Sequence, residues 1–179
     1  MIDPRTSRIW AYRGLYALLC GTIVLALLLP VELFRAVLPW PDLMLALTFA
    51  WLLRRPAYVP PLLIAVVFLL ADLLLQRPPG LHSLAVLLAT EFLRARVLAV
   101  RDRRFGYEWA LAGGTMLALM FAERVLAAVV FAGSPPLSGV AVQLGLTILA
   151  YPAVVLFSNL IFRVTKAEPG EGSGAGEQA

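Results

Sequence analysis

The strongest constraint on how this chain can fold lies between residues 56 and 104. A predominantly apolar run, 57–75, gives way to Gln76-Arg77-Pro78-Pro79-Gly80-Leu81-His82, and a second apolar run continues to residue 99. A basic cluster, Arg101-Asp102-Arg103-Arg104, closes the stretch. As helices, runs of this length reach across the ~30 Å hydrocarbon core of a bilayer. The pattern therefore predicts a transmembrane hairpin that turns on Pro-Pro-Gly. Each arm carries one carboxylate, Asp72 in the first and Glu91 in the second. A charge at membrane depth costs roughly 2.5 to 3.5 kcal/mol on insertion scales, so both are candidate functional residues.

The rest of the chain agrees with this class. Of 179 residues, 61% are hydrophobic and the mean hydropathy is +0.85, which points to an all-α, polytopic membrane protein with one domain. A single cysteine, Cys20, and a single histidine, His82, exclude an internal disulfide and any multi-Cys or multi-His metal site. No cofactor is implied. There is no G-x-S-x-G, no H-E-x-x-H and no Gly-rich phosphate loop, so nothing marks an enzyme. The net charge of +4 sits beside the ends of apolar runs, which fits lipid headgroups rather than nucleic acid.

In order, residues 1–13 form a basic cytoplasmic lead-in with Arg5, Arg8, Arg13 and the interfacial aromatics Trp10 and Tyr12. The first run covers 14–29, and apolar character partly resumes to residue 38. No small-residue cleavage site follows Leu29, so this run reads as a retained helix rather than a secretory signal. Asp42 is placed to cap the second run, 43–53, whose 11 residues span only about 17 Å. A short span buried in the bundle, a tilted span recruiting Trp40 and a re-entrant helix all fit this length, and the inside signal of Arg54-Arg55 favours the short span. Runs 107–132 and 137–162 follow, the last interrupted by Pro152, where a kink is expected. Residues 14–166 thus form a six-helix transmembrane domain, and the Gly-, Glu- and Ser-rich 167–179 a disordered cytoplasmic tail.

Six spans with both termini inside place twelve of the fifteen basic residues in the cytoplasm, among them Arg54, Arg55, Arg94, Arg96 and Lys166. Only Arg35 and Arg77 fall outside, and Arg124 lies within a span. Asp72 then sits about one turn below the outer face. Glu91 and Arg124 come to similar depths, about 13 Å and 12 Å, and are expected to pair. Glu123 points away from Arg124, and His82 reads as an outer-surface residue without a special role. Ala17 with Gly21, and Gly113 with Gly114, are small-residue points where another helix could approach closely.

Three segments carry a family resemblance: Pro41-Asp42-Leu43, then Trp51-Leu52-Leu53-Arg54-Arg55-Pro56, and Phe68-Leu69-Leu70-Ala71-Asp72-Leu73-Leu74-Leu75 followed by Pro79-Gly80-Leu81. On these the chain resembles the rod-shape-determining protein MreD family, from about residue 39 to 104. The resemblance implies a non-enzymatic scaffold of the cell-wall elongation machinery in the bacterial inner membrane. It would bind the transmembrane helix of MreC and act with MreB, RodA and its transpeptidase in cell shape and peptidoglycan synthesis. It also implies a fold similar to the S components of energy-coupling-factor transporters. That likeness supplies the alternative: a vitamin-like ligand-binding subunit, which would need a polar, aromatic-lined pocket.

Overall fold

The computed structural model describes residues 4–29, 40–129 and 137–162. These residues are predominantly helical, with no strand among them. The segment 30–38 with Arg35, the turn 133–136, Arg163, Lys166 and the tail 167–179 lie outside the described residues. The elements are α1 (Pro4–Leu28), α2 (Leu43–Arg54), a 3-10 turn (Pro56–Tyr58), α3 (Pro61–Leu74), α4 (Leu81–Arg94), α5 (Val97–Arg101), α6 (Phe105–Val129) and α7 (Leu137–Phe162).

Three helices are long and apolar enough to cross a membrane: Thr6–Leu28 within α1, α6 and α7. By length and composition this makes the chain a membrane protein. The arms of the central hairpin are shorter than the sequence implied. Both α3 and α4 hold 14 residues, about 21 Å at 1.5 Å per residue, so neither spans the ~30 Å core alone. Proline explains the first arm. Residues 56–58 form a 3-10 turn and Pro60 precedes the helix, which starts only at Pro61, where a missing N–H costs nothing. In the second arm the α-helical pattern lapses at Ala95–Arg96, where the Arg96 N–H bonds back three residues to Leu93. The turn itself behaves as its composition dictates. Gly80 takes φ +86°, a left-handed conformation that suits glycine.

The bundle is built around α2. Every residue from Met44 to Arg54 is buried, as expected of a helix that is apolar on all sides. The short, bundle-buried reading of this run therefore holds. In lipid no hydrophobic gain drives helices together, so packing and interhelical hydrogen bonds hold them. α2 makes such a bond at nearly every turn. The Asp42 N–H donates to Thr147 Oγ1 at 2.8 Å, Thr48 Oγ1 meets Tyr16 Oη at 2.9 Å, and Trp51 Nε1 donates to Ser158 Oγ at 3.1 Å. Asp42 also caps the helix, its Oδ1 accepting the Leu45 N–H at 2.9 Å.

Aromatic rings close one end. Tyr12 stacks on Tyr58 with centroids 4.4 Å apart, Trp51 sits among Tyr12, Tyr16, Tyr58 and Phe162, and Tyr12 Oη donates to the Phe162 carbonyl. The lead-in is continuous with the first span from Pro4 onward, and the Arg13 guanidinium lies 4.9 Å from the Trp10 ring centre. α7 continues through Pro152 rather than ending there.

Candidate functional site

Asp72 is fully buried, and its Oδ2 accepts from Ser83 Oγ at 2.7 Å and from the backbone N–H groups of Ser83 and Gly80 at 3.2 Å. The first N–H groups of a helix lack intrahelical acceptors. Gly80, at the N-cap of α4, has no side chain to supply one. A carboxylate from the end of α3 does so instead, with charge of the sign that a helix N-terminus favours. Asp72 therefore fastens the hairpin through Oδ2, while its Oδ1 is buried without a hydrogen bond among the described residues.

The expected Glu91–Arg124 pair does not form either. Glu91 Oε1 accepts from Arg94 Nε at 3.1 Å, one turn along α4, and its side chain is half exposed. Arg94 continues to the carbonyls of Val59 at 2.7 Å and Pro56 at 3.3 Å, tying α4 to the start of α3. Arg124 instead lines a cavity near His82. The depth match failed because it placed both residues by counting from the ends of their apolar runs. In the fold, Glu123 of α6 meets His82 in the first turn of α4. Glu91 lies nine residues further along α4, about 13 Å away from that level.

A buried ion pair does exist, between Arg54, which the charge pattern assigned to topology, and Glu108, which the sequence did not single out. Arg54, at the C-terminus of α2, donates from Nε to Glu108 Oε1 at 3.1 Å and from a terminal nitrogen to Asn159 Oδ1 at 2.7 Å. Tyr151 Oη donates to the same Glu108 oxygen at 3.3 Å. The side chains of Arg54 and Glu108 are 8% and 0% exposed. This cluster joins α2, α6 and α7.

The opposite end of α2 is different. His82 lies between two carboxylates: its Nδ1 is hydrogen-bonded to Glu123 Oε1, and its Nε2 is 3.9 Å from Asp42 Oδ2. Nε2 is buried and makes no hydrogen bond within the described residues. The ring also packs 5.6 Å from Phe68. These groups border a cavity of about 370 Å³. One stripe of α6 forms a wall, Met116, Leu119 and Met120 giving way to Glu123, Arg124 and Ala127. The spacing i, i+3, i+4, i+7, i+8, i+11 keeps all six on one face. Val140, Gln143, Leu144 and Thr147 form the matching stripe of α7, and Arg77 and Pro78 of the hairpin turn complete the rim with Asp42, Leu45 and Leu81. No group of three His, Cys, Asp or Glu side chains suited to a metal ion occurs among the described residues.

His82 is thus largely buried and lines a cavity, contrary to the outer-surface reading. The two stripes were legible as spacing, but helical spacing alone does not distinguish a cavity wall from a packed core. The small residues divide. Gly113 is buried, and a Cβ there would lie 3.5 Å from Ile148, so this glycine serves contact within the bundle. Gly21 and Gly114 are exposed, with no atom of the chain within 4 Å of where a Cβ would stand.

Compared with known protein families, characterised proteins and solved structures, the chain matches none.

Proposed function

We propose that this protein is a non-enzymatic scaffold of the MreD kind. In this reading it docks the transmembrane helix of a MreC-like partner in the bacterial inner membrane, and through it bears on cell shape and peptidoglycan synthesis alongside MreB, RodA and its transpeptidase. The observation that carries the reading is a stripe on α1. Leu18, Gly21, Leu25 and Leu28 recur at i, i+3, i+7 and i+10, all are exposed, and no described residue covers the glycine. A small residue within an apolar stripe permits close approach of a second helix in lipid. Gly114, Leu117 and Phe121 repeat the pattern on α6. The segments that carry the resemblance support an architectural role, since Asp42, Trp51, Arg54 and Asp72 all join elements of the bundle. The vitamin-transporter alternative asks for an aromatic-lined pocket, and no Phe, Tyr or Trp lines the cavity.

Co-purification with a co-expressed MreC-type single-span protein tests the proposal. Gly21→Leu and Gly114→Leu should each leave the solubilised protein folded, and at least one should reduce recovery of the partner about tenfold. Full recovery with both substitutions present would remove the proposed surface.

A further inference from the structure

The cavity beside His82 holds chemistry that scaffolding does not use. Its volume of about 370 Å³ falls at the lower end of small-molecule sites, roughly 300 to 1,000 Å³. Ionisable side chains concentrate at this cavity. Five gather here: Asp42, Arg77, His82, Glu123 and Arg124.

The carboxylates are already engaged. Glu123 bonds to His82, and Asp42 caps α2 through Oδ1 while Oδ2 faces the same imidazole. The donors left to meet a guest's polar end are the Arg77 guanidinium and the Gln143 amide, with the Arg124 guanidinium also in the lining. Two arginines against two carboxylates sum to zero, and an imidazolium between the carboxylates would make the lining +1. A singly charged anion is the guest that neutralises it. The remainder of the guest meets Met116, Leu119, Met120 and Leu144, and methionine adapts its shape to irregular apolar bodies.

We propose that this cavity binds an amphipathic monoanion, with a carboxylate or phosphodiester head against Arg77 and Arg124 and an apolar body along the methionine stripe. The site stands on the cavity alone and does not depend on the scaffold reading. The head could belong to a soluble metabolite or to an anionic lipid, and the experiment separates these sources.

The test is native mass spectrometry of the full chain in zwitterionic nanodiscs, titrated with octanoate, octylammonium and octanol. These probes share one apolar body and differ in charge. One octanoate should bind per chain, about tenfold more tightly than either of the others. Arg77→Gln with Arg124→Gln should remove that preference, and Met120→Trp should remove binding by filling the space. Equal binding of the three probes by the unaltered protein would overturn the proposal. So would octanoate binding that persists in both altered proteins, provided their helicity by circular dichroism is unchanged. In a second arm, phosphatidylglycerol is added to the nanodiscs. Displacement of octanoate by one lipid per chain supports the site and identifies a lipid headgroup. Retained octanoate supports the site and identifies a soluble ligand.

Discussion

The two ends of α2 carry the same kinds of side chain in opposite states. At its C-terminus, Arg54 and Glu108 are shut in with Tyr151 and Asn159. At its N-terminus, Asp42, His82 and Glu123 border a cavity. Both placements suit the helix, which favours an anion at its start and a cation at its end. The difference is closure. In the first cluster the two charges pair with each other and are hydrogen-bonded by Tyr151 and Asn159, which describes a fastening. In the second, the charges sit beside space, which describes a site. Charge content alone does not separate the two.

The largest expected effect lies at the closed end. Glu108→Gln leaves the buried Arg54 guanidinium without its counter-charge, and breaking a buried pair typically costs about 3 to 5 kcal/mol. The double substitution Arg54→Leu with Glu108→Leu strands neither charge and should recover much of that loss. Thermal unfolding of the solubilised protein reads both, and strictly additive losses would show that the two side chains are not coupled.

Asp72→Ala comes next. It removes the acceptor for three donors at the start of α4, and leaving buried donors unsatisfied costs about 1 to 3 kcal/mol. Asp72→Asn, which retains an acceptor oxygen, should lose less. Equal losses would mean that the cap is not what Asp72 contributes.

The paired glycines give a similar or smaller effect and sharpen the contrast between inner and outer faces. Gly113→Leu forces a side chain against Ile148, an overpacking that costs typically 1 to 3 kcal/mol. Gly114→Leu meets nothing in the chain and should leave the unfolding temperature unchanged. Equal destabilisation by the two would contradict the assigned faces.

What could be read in the sequence was governed by range. Asp42 as a cap and 43–53 as a buried short run were legible because both rest on neighbouring residues. Asp72 was legible as unusual, but its partner, Ser83, lies across a turn whose geometry had to be known first. Glu91 had a local signal, Arg94 three residues on, that outweighs a long-range depth match. Arg54 and Glu108 were hidden because they stand at the ends of apolar runs, where a charge ordinarily reports on the interface. Their burial follows from α2 lying inside the bundle, which only the packing of α6 and α7 around it reveals. His82 was hidden for the same reason, since its surroundings come from Asp42 and Glu123, far away in the chain.

The smallest expected effect on stability is at the open end. Glu123→Gln keeps a hydrogen-bond acceptor for His82 at a partly exposed position, and such pairs contribute under about 1 kcal/mol. Its effect should appear in octanoate binding instead.

The most direct test of the account is the unfolding free energy of Glu108→Gln set beside that of Glu123→Gln, in one detergent and against the unaltered chain. A closed fastening and an open site predict that Glu108→Gln loses at least about 2 kcal/mol more. Equal losses at the two positions would contradict the distinction between the two ends of α2.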